Sequence, residues 1–285
     1  MRLGGPVFES WGDPDGWTAA LGRLGYSAAY CPVDASAGDD VIRAYAAAAE
    51  KAGVVIAEVG AWSNPLSPDG ETRRAALAQC QKQLALADRI GARCCVNISG
   101  SRGSKWDGPH PDDLTEETFD LIVEATRSII DAVKPTRAFY TLETMPWMYP
   151  DSPDSYLRLI SAIDRSQFGV HLDPVNLVCS PKRYFNNAAL LRECFSKLGP
   201  HIRSCHAKDI VLADRFMVHL DEVRPGLGAL DYRTYLQALG SLHPDTPLMI
   251  EHLQTAEEYA LAADYIRATA REIGAQFIAP PGDNP

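Results

Sequence analysis

The chain has 285 residues and a formal net charge of −10, from 27 Lys and Arg against 37 Asp and Glu. Hydrophobic residues make up 46% and charged residues 22%, the balance of a soluble globular protein with a sizeable core. The acidic balance argues against nucleic acid and against anionic membrane surfaces, since both need a positive footprint. Short β-branched or apolar runs then alternate with longer helical patterns from end to end. The predicted strands are Arg2–Phe8, Tyr26–Val33, Val54–Trp62, Arg93–Ser99, Ala138–Met145, Phe168–Val175, Ile202–Lys208 and Pro247–Leu253. Helical patterns fall on Asp39–Lys51, Glu71–Ile90, Leu114–Val133, Ser152–Ile163, Asn187–Leu198, Tyr232–Leu239 and Ala256–Ile273. Parallel strands need crossover connections, and eight βα units in this length are what a closed (β/α)8 barrel requires. One barrel over residues 1–278 is expected, with a disordered Pro- and Gly-rich tail over 279–285.

The seven cysteines have no paired-ligand spacing, and the adjacent Cys94 and Cys95 would point to opposite faces of a strand. They read as small buried hydrophobes in a reducing compartment. The N-terminus carries no apolar run of signal-peptide length, and no segment is long enough to span a membrane. A soluble cytoplasmic protein is the expectation. No Gly-rich nucleotide fingerprint follows the first strand, because Gly4-Gly5-Pro6 lies inside it. The segment from Ser99 to Asp113, with three Gly and two Pro, reads as a long loop after strand four, and long loops in compact domains are usually functional.

In a barrel of this kind, chemistry sits where the strands end and the βα loops emerge. Four consecutive predicted strands carry, near their C-terminal ends, polar groups that a packed barrel core would not want: Glu143, Asp173, His206 and Glu251. Their separations of 30, 33 and 45 residues are each about one βα unit, so the four would lie side by side around half the rim. Three carboxylates that close would repel one another unless a cation or shared protons offset their charge. Two Glu, one Asp and one His form a mostly oxygen donor set suited to a hard or borderline divalent ion, Mn²⁺ foremost, with Mg²⁺, Co²⁺ or Zn²⁺ as alternatives.

With the segments HLDPVN (171–176), HAKD (206–209) and GLGALDY (226–232), this pattern resembles the xylose isomerase-like TIM-barrel superfamily, the sugar phosphate isomerase/epimerase group, over essentially the whole chain. The resemblance implies that the four residues bind one divalent metal and that Glu143 and Glu251 flank the substrate carbon on opposite faces, one removing a proton next to a carbonyl and the other returning one. Two sequence positions depart from the ketose 3-epimerases of the group. Asn176 stands where they carry a His, and Leu212 where they carry an Arg. The missing His also removes a ligand of the group's DNA-repair endonucleases. HAKD is similar to the inosose dehydratase-like and 3-oxo-glycoside-cleaving branches, in which Lys208 could act on the substrate.

The sequence reading is therefore a metal-dependent sugar isomerase or epimerase acting next to the carbonyl of a ketose or keto-sugar. The alternative is a lyase that eliminates a β-leaving group through the same enolate, from an inosose or a 3-oxo-glycoside. Strand alternation puts His171 on the face of Asp173 and Lys208 on the face of His206, so both are candidate acid/base groups beside Glu143 and Glu251. His252, adjacent to Glu251, should face away from it and be structural. Trp62, Trp106 and Trp147 lie at or past strand ends and could stack on a sugar, and His110, Asn176 and Arg224 could reach its oxygens. The partner expected is an unphosphorylated small sugar, with no nucleic acid and no membrane. Barrels of this kind commonly form homo-oligomers, and the glycoside-cleaving branch leaves room for a small partner subunit.

Overall fold

The computed structural model describes residues 1–280; of the expected tail, 281–285 lie outside the described residues. In chain order the strands are β1 (Arg2–Gly4), β2 (Ala28–Tyr30), β3 (Val55–Gly60), β4 (Cys94–Asn97), β5 (Phe139–Glu143), β6 (Phe168–Leu172) and β7 (Ile202–Ala207), then β8 (Asp209–Leu212), β9 (Leu220–Val223) and β10 (Pro247–Ile250). Strands β1 to β7 and β10 form one closed parallel barrel, shut by the pairing of Gly4 with Ala28 on one side of β1 and of Leu3 with Leu248 on the other. The antiparallel pair β8–β9 is a separate hairpin standing off the end of β7. The helices are α1 (Pro14–Arg23), α2 (Asp39–Lys51), α3 (Gly70–Ile90), α4 (Glu116–Val133), α5 (Pro153–Ile163), α6 (Pro181–Phe185), α7 (Asn187–Leu198), α8 (Tyr232–Gly240) and α9 (Ala256–Glu272). The chain is a single (β/α)8 barrel, as the alternation of elements implied.

Local chemistry accounts for the helix starts. Asp13, Asp69, Thr115, Ser152, Asp231 and Thr255 each accept, through the side chain, the backbone N–H three residues on. Each such cap contributes about 1 kcal/mol. Helix α1 was absent from the sequence reading. Its signal is the Asp13 cap followed by Pro14 at the first helical position, and it buries Trp17, Ala20 and Leu21. The strands are shorter than expected: β1 ends at Gly4, before Pro6, which has no N–H to pair.

Small residues fill the barrel interior. Ala28, Ala57 and Met249 pack together, and a Cβ on Gly4 would come within 2.6 Å of the Met249 sulfur. Toward the C-terminal ends of the strands the interior turns polar, and buried tyrosines from the helices fasten the strands there. The Tyr156 hydroxyl on α5 lies 2.6 Å from the Leu142 carbonyl and accepts the Leu142 and His171 N–H groups. On α8, Tyr235 donates to the His206 carbonyl at 2.7 Å and Tyr232 to the Lys208 carbonyl at 2.8 Å.

Asp209 explains two of the sequence segments together. It is buried, and its carboxylate accepts N–H groups from Ile210 (2.9 Å), Gly226 (2.9 Å), Gly228 (3.1 Å) and Leu230 (2.9 Å), so HAKD holds the GLGALDY loop from within. Burial nonetheless raises its pKa above the ordinary value despite those donors. Gly228 is required by contact, since a Cβ there would lie 2.3 Å from Asp209 Oδ1. Replacing Asp209 by Ala strands these donors and should cost about 3 kcal/mol in a denaturant melt, with Asp209→Asn losing less because it keeps one acceptor oxygen.

Candidate functional site

Four strand ends bring the predicted cluster together. Glu143 closes β5, Asp173 follows β6, His206 lies on β7 and Glu251 follows β10, and each offers one donor atom within 4.8 Å of the others. The His206 Nδ1 atom is 2.7 Å from Glu251 Oε1, 3.3 Å from Glu143 Oε1 and 3.7 Å from Asp173 Oδ2. The Lys208 ammonium reaches into the same group, 2.8 Å from Asp173 Oδ2 and 2.7 Å from Glu251 Oε1. Neither contact is aligned as a hydrogen bond, so both oxygens are buried without a hydrogen-bond partner. The other Asp173 oxygen accepts the Val175 and Asn176 N–H groups at 3.0 and 3.3 Å, and the Asn176 amide donates to Glu143 Oε1 at 3.0 Å.

Burial alone would raise the carboxyl pKa values here, but the neighbouring charges outweigh it. Asp173, beside Lys208 and His206, and Glu251, beside His206 and Lys208, are held below the usual carboxylate range. The same fields work in reverse on the bases. Desolvation would lower His206 and Lys208, yet the surrounding carboxylates push both well above their ordinary values.

Beneath this cluster lies a residue the sequence reading missed. Glu58 is buried inside the barrel, where it accepts from His171 Nε2 at 2.9 Å and from the Ser204 hydroxyl and lies 3.4 Å from His206 Nε2. The register between β2 and β3 slips, Ala29 pairing with Ile56 but Tyr30 with Glu58, so Ala57 is an extra residue that breaks the alternation and turns Glu58 inward. Glu58, His171 and His206 make a second group that could hold an ion, but its contacts are those of a hydrogen-bonded support. An N–H of His206 Nε2 engaged by Glu58 leaves Nδ1 to face the upper carboxylates, which is how a carboxylate fixes a ligating imidazole. His171, a candidate acid/base group from strand alternation, is not part of the cavity lining. It is fully buried, its Nε2 faces Glu58 and its Nδ1 has no partner.

Above the cluster opens a cavity of ≈ 610 Å³ whose lining includes Glu143, Glu251, Lys208 and Asn176 at the floor and Trp62, Trp106 and Trp147 on the wall. His110 and Arg224 are not part of this lining. His110 caps a turn of 3-10 helix at Pro111–Leu114, its Nδ1 accepting the Asp112 N–H. Arg224 follows β9 and its side chain turns to the Pro225 carbonyl. His252 corrects the sequence reading in the other direction. It has left-handed backbone (φ 61), beyond the end of β10, so strand alternation does not govern it. It lines the cavity and pairs with Glu222 of the β8–β9 hairpin at 3.2 Å. Glu222 lies 3.7 Å from Lys208. No sequence signal placed Glu222 there, because the hairpin falls outside the predicted strands.

The donor set fits a divalent cation. Three carboxylates and an imidazole converge, two carboxylate oxygens have no aligned hydrogen-bond donor, and the offsetting charges beside them are His206, the Lys208 ammonium and, 3.7 Å from Glu251, His252. Such a set is oxygen-rich, as hard and borderline ions prefer.

Fold and site together define a (β/α)8 barrel with an acidic mouth at the C-terminal ends of its strands, whose side chains could hold an ion. The family described as Xylose isomerase-like TIM barrel matches residues 19–269, and the chain belongs to that family. No curated protein matches it in sequence. Among solved structures, it is similar to a xylose isomerase-like TIM barrel protein from Mycobacterium smegmatis in complex with magnesium (TM-score 0.65, 20% identity, covering 93% of this chain and 91% of that one). It is also similar to D-psicose 3-epimerase with D-tagatose from Clostridium cellulolyticum H10 (TM-score 0.68, 15% identity, 97% and 100% covered). A third is 3-keto-D-glucoside 4-epimerase from E. coli (TM-score 0.65, 14% identity, 94% and 99% covered). At these identities the likeness is one of fold.

Two measurements follow. In the metal-free protein the depressed pKa values of Asp173, Glu251 and Glu58 contribute stability that is fully present above the unfolded carboxylate range, about pH 4, and is lost progressively below it as pH falls toward their lower folded values. Thermal melts should show that acid loss, and Lys208→Met, which leaves Asp173 and Glu251 less compensated, should lower the melting temperature at neutral pH and flatten the loss. Glu58→Leu should destabilise the protein by about 3–5 kcal/mol, since it leaves His171 and His206 facing an uncompensated site, and Glu58→Gln by less.

Proposed function

We propose that this protein is a divalent-metal-dependent isomerase or epimerase that moves a proton at the carbon next to the carbonyl of a ketose or keto-sugar. The observation that carries this reading is the pair Glu143 and Glu251 at the floor of one cavity, sharing Asp173 and His206 between them. They come from β5 and β10, three places apart in the ring, so their carboxylates reach a bound substrate from different directions. Two carboxylates so placed are the minimum needed to take a proton from one face of a carbon and return one to the other.

Glu143, Asp173, His206 and Glu251 would hold the metal, with Mn²⁺ foremost and Mg²⁺, Co²⁺ or Zn²⁺ as alternatives. When bound, such an ion supplies Lewis-acid stabilisation of the negative charge that develops on the substrate oxygens. The chain's own groups supply the rest. Glu143, oriented by the Asn176 amide, and Glu251 exchange protons with the substrate carbon, and Asn176 offers its polar edge to a sugar oxygen. Glu58 holds His206 in its tautomer from below. The indoles of Trp62, Trp106 and Trp147 limit water at the mouth. Two neighbours whose names describe sugar epimerases, one of them acting on a keto-glucoside, and one described with magnesium support the reading.

A lyase is the second reading, favoured by one observation: the Lys208 ammonium stands in the cavity floor within reach of both glutamates. There it could protonate a leaving group β to the carbonyl after the same proton abstraction.

Mass spectrometry of the Mn²⁺-reconstituted protein should find about one metal per chain, weakened in Glu143→Gln and in Glu251→Gln. Each variant should also lose about 10²- to 10⁴-fold in turnover, the usual contribution of a positioned acid or base. In heavy water, a ketose or keto-sugar substrate should take up deuterium at the carbon next to the carbonyl with no group expelled. Release of water or an aglycone would favour the lyase, and a metal-loaded protein that exchanges nothing across the panel would sink both.

A further inference from the structure

We infer that the N-terminal end of the barrel, opposite the acidic mouth, carries a second binding site, for a phosphate group, built on Arg93 and Arg203. The site stands apart from the chemistry at the mouth and does not rest on the proposed reaction.

A cavity of ≈ 420 Å³ opens at that end, between the chain entering β4, the start of β7 and the loop before β10. Arg93 stands immediately before β4. Arg203 is the second residue of β7, where the pairing with β6 slips. Val170 pairs with Ile202 but His171 with Ser204, so Arg203 is an extra residue that escapes the strand alternation. Its side chain runs across Gly169, where a Cβ would lie 2.7 Å from Arg203 Cγ, so the path depends on that glycine. The guanidinium carbon lies 3.9 Å from the centre of the Phe139 ring, and this stacking fixes the plane of the group.

Both guanidiniums lack the partners that burial normally demands. The Nε atoms of Arg93 and Arg203 are each buried without a hydrogen-bond acceptor. Arg203 Nη1 has only long contacts, 3.4 Å to the Pro200 carbonyl and 3.5 Å to the Ile202 carbonyl. The Asp245 carboxylate lies in the field of Arg93, but it is taken by Arg2 Nε at 2.7 Å. The two cations also act on each other. Burial lowers the Arg203 pKa below its ordinary value, and the charge of Arg93 lowers it further. A chain of net charge −10 has carboxylates to spare, yet among the described residues none is paired with either arginine. Charge removed from water without a partner is costly, which marks this pair as waiting for an anion.

The chemistry of the donors selects the anion. The Nε–H and Nη–H groups along one edge of a guanidinium form a fork that meets two oxygens of a phosphate or a carboxylate. Two such forks on different strands ask for more acceptors than one carboxylate has, and their summed charge suits a dianion. His243 adds a donor to the same lining. Its Nδ1 accepts the Asp245 N–H at 3.1 Å, so the neutral ring carries its proton on Nε2. Phe195 and Leu242 form an apolar part of the wall, and the cavity leaves room beside the anion for the carbon portion of a phosphomonoester. The shared requirement is a tetrahedral phosphate group, free or esterified.

Calorimetry tests this on the full-length chain freed of metal, so that no anion is held through an ion at the mouth. Inorganic phosphate and phenyl phosphate are titrated at constant ionic strength near about pH 8, where both are largely dianions. The wild type should bind one phosphate group per chain with a Kd of about 1 mM or tighter. Arg93→Met and Arg203→Met should each weaken binding at least about tenfold, and the exposed control Arg43→Met should change it less than about twofold. Tighter binding of phenyl phosphate identifies a phosphomonoester as the occupant, and equal affinities identify free phosphate. Melting curves give an independent reading. In phosphate-free buffer Arg93→Met should melt at or above the wild-type temperature, because it relieves the repulsion between the two cations. Phosphate should then raise the melting temperature of the wild type and not that of the variant. No binding of either compound at about 10 mM, undiminished binding in both arginine variants, or an Arg93→Met protein that melts well below the wild type without phosphate would overturn the site.

Discussion

Three carboxylates held within 3.7 Å of one imidazole and one ammonium are the constraint around which this barrel is built. In a low-dielectric interior, like charges at such separations are costly, and each anion needs a positive partner or a proton. Here the partners are His206 and Lys208, and the mutual fields push Asp173 and Glu251 down and the two bases up. The arrangement is compensated but not saturated: Asp173 Oδ2 and Glu251 Oε1 have cations near them and no directed donor. A divalent ion bound by this cluster would compete with the Lys208 ammonium for the same two oxygens, and its uptake would then depend on how firmly the lysine is held there.

Much of the rest of the molecule reads as support for that cluster. Hydroxyls of Tyr156, Tyr232 and Tyr235 reach from the helices to the backbone of the strands that carry it. Asp209, one residue past Lys208, anchors a loop through three backbone donors and so fixes the path of the chain leaving β7. Below, Glu58 and Ser204 fill the interior with hydrogen bonds where most barrels of this architecture place branched aliphatics. Such a polar layer costs desolvation, and it is tolerable because nearly every group in it has a partner.

The fold was legible because its signal is repetitive. Eight apolar runs, mostly separated by helical patterns, constrain topology even when each boundary is off by several residues. The four strand-end residues were legible for a different reason: a carboxylate or imidazole at the end of a buried strand conflicts with local patterning, and four such conflicts at one-unit spacing point to one rim. Reasoning by alternation failed wherever the backbone departs from ideal strand. In Val54–Trp62 strict alternation gives Glu58 the parity of Ile56, which packs outward against the helices; the extra residue at Ala57 reverses it. Alternation likewise turned His252 away, although a left-handed residue beyond the strand brings it back into the cavity. His171 was placed on the right face but at the wrong depth. The four-residue strands of the β8–β9 hairpin were too short to separate from loop, so Glu222 was invisible. His110 was read as a ligand contact because a histidine in a Gly- and Pro-rich loop looks free, whereas its ring caps the turn that begins at Pro111.

Charge at the floor and indole at the mouth depend on each other. The ion pairs below are strong only where water is scarce, because effective dielectric sets their energy. Trp62, Trp106 and Trp147 line the open cavity above those ion pairs, and the loop that carries Trp106 is pinned by Asp113. A ligand that occupies the wall would complete the exclusion of water and so raise the electrostatic effect of Glu143, Glu251 and Lys208 on the group beneath it. Binding energy gained on the part of the ligand that does not react would in that way be expressed at the carbon that does.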